Sequence, residues 1–211
     1  MTKSRRTAVL ALVAFVVAGC AGPGTGPTPG AGPDSPRTPS ASPAPGRVVR
    51  TAGCSTATSP PATAIDGTPQ PANQEYLDGV AGRLRPFARA HFPDVYSGLE
   101  LRSEQNRLRV YRKPSAAFDA WLLRAFASEC VEAVDAPHSE RELGALAGRV
   151  SADMDYWRKH GVPVSFVSAK GDGTDVEVGT TDVVRAKREF TLRYGAAAPL
   201  SVVYGEPPRP A

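Results

Sequence analysis

The chain predicts an α+β fold made of two tandem helix–hairpin–helix–strand units, each a two-layer arrangement with helices on one face of its sheet. Three observations lead there. Apolar residues recur at helical spacing in several separate stretches. Pairs of short alternating runs flank polar or glycine-rich turns. The same order of elements then occurs twice, over residues 75–135 and 139–204, although residue identity between the two halves is slight.

The first unit opens with Leu77, Val80, Leu84, Phe87 and His91 at helical spacing, which predicts an amphipathic helix over residues 75–91. Pro86 falls inside it and should bend or split it, because proline removes one backbone donor and crowds the preceding turn. Leu99 and Leu101 then alternate with Glu100 and Arg102, and Leu108 and Val110 with Arg109 and Tyr111. Ser103-Glu104-Gln105-Asn106 joins the two runs as a hairpin. Ser115 can cap a helix carrying Phe118, Trp121, Leu122 and Ala125 on one face. Residues 130–135 complete the unit as a short strand.

The second unit begins with a capping box, Ser139 with Glu142. Leu143, Leu146, Ala147, Val150, Met154 and Trp157 form one helical stripe, ended by Gly161 and Pro163. Residues 164–168 and 174–178 flank the turn Lys170-Gly171-Asp172-Gly173. Thr181 can cap a helix with Val183, Ala186, Phe190 and Tyr194 inward, stopped by Gly195. Residues 200–204 form the last strand, after which Pro207, Pro208 and Pro210 forbid further ladder pairing.

Residues 1–72 have a different character. Lys3, Arg5 and Arg6 precede an apolar run over residues 8–17 that ends in Val17-Ala18-Gly19-Cys20. A basic start, a short apolar run and small residues make an export signal. The run is about half the roughly 20 residues a membrane span needs. Its last four residues resemble the lipobox of bacterial lipoproteins. That resemblance implies cleavage after residue 19, acylation of the Cys20 thiol (a diacylglycerol, with palmitate as a typical chain), and attachment to the outer face of the cell membrane. Ser4-Arg5-Arg6 is similar to a twin-arginine signal, but Ala8 and Val9 stand where that signal has bulky residues.

Residues 20–72 then read as the lipidated cysteine and a tether. Proline, glycine, serine, threonine and alanine dominate, and such a stretch buries too little apolar surface to offset its conformational entropy. Ordered pattern is expected from residue 73 to 206, with a Pro-rich tail at 207–211. The residue usage, rich in arginine, alanine and glycine, resembles that of high-GC actinobacteria. The formal charge of +4 shrinks when Lys3, Arg5 and Arg6 leave with the signal: 25 basic residues become 22, against 21 acids, a balance of +1. No basic stripe remains of the kind nucleic-acid binding requires. Cys54 and Cys130 are left as an even pair in an oxidising compartment and are expected to form a disulfide closing a long loop.

In the folded region, Tyr96-Ser97-Gly98-Leu99-Glu100-Leu101 with Arg107-Leu108-Arg109-Val110, and Val176-Glu177-Val178-Gly179 before a helix, resemble the small α/β units in pro-segments of streptogrisin-like and α-lytic-type secreted proteases. The resemblance implies a comparable fold and carries over no site residue. It suggests an inhibitor or folding helper of a secreted protease as one function, with the tail from Glu206 as a docking element.

Catalytic patterns are absent from the sequence. His91, His138 and His160 each have a local structural role and show no HExxH or HxH spacing, so no metal site is expected. No GxSxG elbow supports a nucleophilic serine. Asp172, Asp175 and Glu177 lack calcium-loop spacing, and the glycines between residues 22 and 32 have no strand before them to make a phosphate loop. Trp121 and Trp157 fit helix stripes. The candidate binding face is Tyr96 and Tyr111 beside Arg107 and Arg109 on the first hairpin. A surface-displayed binding or adaptor lipoprotein is therefore the leading expectation, with the lipid bilayer and an unidentified protein or cell-wall component as partners and no cofactor. An enzyme acting on wall polymers is a further alternative.

Overall fold

A computed structural model describes residues 47–59, 61–65 and 68–206. The expected signal, Cys20, the greater part of the expected tether and the 207–211 tail lie outside these residues. The class is α+β, with two principal sheets, one of four strands and one of three. Among the described residues no helix is long and apolar enough to cross a membrane.

The first sheet has the order β1-β6-β5-β4. It contains β1 (Val48–Arg50), β4 (Tyr96–Arg102), β5 (Arg107–Arg112) and β6 (Val131–Asp135). β4 and β5 form the expected antiparallel hairpin, closed by a 3₁₀ turn at Ser103–Gln105 and a left-handed Asn106 with φ of 49°. Helix α2 (Ala116–Ala125) carries the chain from β5 to β6, which run parallel. Its N-terminus is capped as expected, with the Ser115 hydroxyl accepting from the Phe118 N–H. Helix α1 (Gln74–His91) and α2 cover one face of the sheet. Leu84, Leu108, Val110, Phe118, Leu122 and Val131 are fully buried between the layers, each contributing about 1.5–3 kcal/mol by leaving water.

The second sheet has the order β7-β8-β9, from β7 (Val164–Ala169), β8 (Val176–Thr180) and β9 (Leu200–Tyr204). β7 and β8 are antiparallel, and α5 (Val183–Tyr194) carries the chain to β9, parallel to β8. With α3 (Glu140–Ala152) and α4 (Met154–Lys159), α5 covers one face around Trp157, Phe190, Val176 and Val178. The Ser139–Glu142 capping box is complete. A short separate hairpin pairs β2 (Ala62–Ile65) with β3 (Thr68–Pro71).

Several expectations are corrected in detail. Pro86 does not split α1, which runs unbroken through it. Pro86 and Gly82 are both exposed, so the carbonyl that loses its partner faces water. Phe87 and His91 sit at the rim, not in the core; Ala81 and Ala88 take the buried stripe with Leu77, Val80 and Leu84. The single helix expected after Ser139 is two, broken at Asp153. There the carboxylate accepts from Arg193 at 2.7 Å and from the Tyr194 hydroxyl at 2.8 Å. Asp182 caps α5 in place of Thr181.

The largest correction concerns the tether boundary. Val48–Arg50 lies in the expected tether yet forms an edge strand, pairing antiparallel with β6 through Val48↔Val134, Val49↔Ala133 and Arg50↔Glu132. Two adjacent β-branched residues give this stretch its strand preference, and Val49 packs against the first core. Limited proteolysis should therefore leave a resistant fragment beginning close to Arg47. A stable fragment beginning near residue 73, with the upstream part lost after reduction, would contradict the placement of β1.

The two halves meet at the β7–β8 turn. A Cβ on Gly98 would collide with the Gly171 carbonyl, and one on Gly173, whose φ is +74°, would come within 2.6 Å of the His138 carbonyl oxygen. Only glycine allows this approach. The Ser97 hydroxyl donates to the His138 carbonyl at 2.5 Å, and the His138 N–H donates to Gly173 O at 3.2 Å. Ion pairs Arg89–Glu140, Lys113–Glu142 and Arg141–Asp94 cross the same junction.

Candidate functional site

Alternation along β5 sends Leu108 and Val110 into the core and Arg107, Arg109 and Tyr111 to the opposite, helix-free face. Register then assembles a row across all four strands: Arg50 on β1, Glu132 on β6, Arg109 on β5 and Glu100 on β4. Signs alternate along this row. Arg102 pairs with Arg107 in the next row.

Glu132 is the centre of the face. Its side chain is only 2% exposed, and it accepts from Arg50 Nε at 2.8 Å and from Arg107 at 2.6 Å, with Arg109 at 3.4 Å. Burial alone would raise its pKa, but the hydrogen bonds and charges of the three arginines outweigh that and hold it below the usual glutamate value. At the far edge Glu100 pairs with Arg102 at 2.8 Å and accepts from the Tyr111 hydroxyl at 3.0 Å. Partial burial, and next the bond to Glu100, push the Tyr111 phenol up. Four guanidinium groups thus share two carboxylates, a surplus of two positive charges, and the arginines keep part of their surface in water. Planar guanidinium donors with spare N–H groups suit carboxylate or phosphate oxygens.

Three of the four residues expected on this face are there. Tyr96 is not: it is 1% exposed and belongs to the first core. The register shifts between Tyr96 and Gly98, leaving Ser97 as a bulge, so Tyr96 opposes Arg112 while Gly98 opposes Tyr111. One inserted residue turns every preceding side chain to the other face. Burial is the main reason the Tyr96 phenol lies above its ordinary pKa. Arg50, Glu100, Arg102 and Glu132 were missed. In the sequence Glu132 shows only as a carboxylate between Val131 and Ala133 of a short strand, which does not reveal its place in the register.

A second charged cluster lies on the core side of the same sheet. Arg112, 1% exposed, gives Asp119 on α2 two hydrogen bonds, at 2.8 and 3.1 Å, and also pairs with Asp135 on β6. It ties α2 to two strands.

The disulfide between Cys54 and Cys130 is present, with Cα atoms 4.1 Å apart and a sequence separation of 76. The remaining candidates have local partners. His91 packs on Phe87 and His160 on Tyr156. Asp172 accepts from the Thr174 N–H within the turn, and Asp175 pairs with Lys170. Trp157 is buried, and Trp121 stacks on Phe87 at the rim of the first core. Among the described residues no group of three or more His, Cys, Asp or Glu is placed to hold a metal ion. No protein-family model, curated protein or solved structure gives a significant match to the chain.

Proposed function

We propose that the chain is a lipid-anchored surface protein of the cell membrane that presents its α+β region as a binding or adaptor module. Val17-Ala18-Gly19-Cys20 at the end of a basic, then apolar, leader supports the anchor. The proline-rich stretch that follows supports a spacer holding the module off the bilayer. The observation that carries the binding role is the outer face of the first sheet, where Arg50, Arg102, Arg107, Arg109 and Tyr111 surround two carboxylates with positive charge to spare. A protein or wall polymer bearing anionic groups is the partner this chemistry fits.

Cys20→Ala should move the protein from the membrane to the soluble fraction, since the acylated thiol is the only attachment the reading provides. Membrane retention of this variant in high salt would refute the anchor. On intact cells, Arg107→Ala with Arg109→Ala should reduce the yield of crosslinked partner at unchanged protein level; an unchanged yield would remove the arginine face from the binding role.

A further inference from the structure

The two halves follow the same strand path, and their hydrogen bonds fix which positions correspond. Leu108 N–H donates to Cys130 O at 3.0 Å, and Val176 N–H to Pro199 O at 2.8 Å. Ala136 N–H donates to Arg112 O at 2.8 Å, and Gly205 N–H to Thr180 O at 3.0 Å. Position for position, β9 therefore occupies in the second sheet the place of β6 in the first, with Val202 corresponding to Ala133. In the first sheet the outer edge of β6 is covered by β1. Among the described residues nothing covers the same edge of β9, which ends its sheet.

That edge has the properties of an acceptor. Because Pro199 and Gly205 bond toward β8, alternation turns the backbone N–H and C=O of Val202 and Tyr204 away from the sheet. Leu-Ser-Val-Val-Tyr contains none of the charges or prolines that usually guard an edge. Beside it lies a cleft of about 420 Å³, lined by Lys187, Phe190 and Thr191 of α5 and by Ala198, Leu200 and Val202. In the first half the corresponding space between sheet and helix receives Val49 of β1.

We infer that the β9 edge is a self-association site at which a second copy of this chain adds its own β9, antiparallel, about a twofold axis through Val202. The chain's own remaining segments do not fit. The stretch between Cys20 and Arg47 and the 207–211 tail are interrupted every few residues by prolines, each lacking the N–H that a ladder needs. A second copy fits in three ways. Val202 opposite Val202 exchanges two hydrogen bonds, and each Tyr204 N–H meets the other copy's Leu200 carbonyl. Tyr204, 64% exposed, shares the helix-side face with Val202 and enters the partner's cleft beside Leu200. The register also brings Glu206 of each copy opposite Ala198 of the other, next to the cleft-lining Lys187, so opposite charges meet twice. The interface is isologous and closes as a dimer with one continuous sheet.

The test uses the purified full chain in detergent. Sedimentation should show a dimer in reversible equilibrium with monomer. Lys187→Glu alone and Glu206→Lys alone, both at exposed positions, should each weaken association by roughly three- to tenfold, and the double variant should restore it. Under oxidising conditions a mixture of Ser201→Cys and Val203→Cys proteins should crosslink, because this register sets residue 201 of one copy opposite 203 of the other. Neither variant alone should crosslink efficiently. A monomer at all accessible concentrations, loss without rescue in the charge swap, or crosslinking by either single variant as strong as by the mixture would each overturn the proposal.

Discussion

Replacing Arg112 with alanine should destabilise the fold by about 3–5 kcal/mol, the range for removing one member of a buried ion pair. The guanidinium is 1% exposed and holds Asp119 by two hydrogen bonds while pairing with Asp135. Its loss would leave two carboxylates facing each other at the edge of the core, with neither able to regain full hydration. Arg112→Lys should recover only part of the stability, since an ammonium cannot match the two parallel bonds to Asp119. Denaturant midpoints at unchanged slope provide the measurement. A loss under 1 kcal/mol for alanine would mean the cluster is not holding α2 to the sheet.

Breaking the Cys54–Cys130 bond is the second large effect. The bond closes a loop 76 positions long, and on the chain-entropy model its removal costs about 4 kcal/mol. The replacement Cys54→Ala with Cys130→Ala should lower the denaturation midpoint accordingly. Reduction of the native protein should do the same. Amide exchange would locate the damage. Thr51 donates its N–H to Val131 O at 3.1 Å and its hydroxyl to Glu129 O at 2.5 Å, so protection should fall first at residues 48–51 and the facing residues of β6. Unchanged midpoint and protection would show that β1 is held by its ladder and the packing of Val49 alone.

The elements that could be read from the sequence were those whose signals are local. The Ser115 cap and the Ser139–Glu142 box depend on neighbours three positions away and appear in place, and the α1 stripe holds at Leu77, Val80 and Leu84. The disulfide was legible because, of three cysteines, Cys20 was read as the acylation site, and that reading leaves one pairing. The misses at Tyr96, at β1 and at the Asp153 break share a cause, a dependence on residues far along the chain, whereas Pro86 and the Asp182 cap turned on local detail, an exposed carbonyl and a neighbouring side chain. Tyr96 reads as outward by strict alternation, and only the bulge at Ser97, which reaches His138, turns it in. Arg50 sits in a proline-rich stretch too short to stand out, and its strand exists because β6, 82 positions later, offers an edge. Of the candidate face, the β5 arginines and Tyr111 were visible as a period of two. Glu132, which organises them, was hidden because its importance lies in the register between strands.

The point at which the N-terminal segment enters the fold has a mechanical consequence. Tension arriving at residue 47 loads β1 first, and that strand has only three paired positions along β6. Should it peel away, the load passes at Cys54 into a covalent bond and emerges at Cys130, immediately before β6. Residues 55–129, which include α1, the β4–β5 hairpin and α2, lie off that line of force. On the anchoring proposed above, a pull from the N-terminal side would thus lengthen the chain by a few residues and then stop against a crosslink, leaving the arginine-bearing strand β5 unstretched.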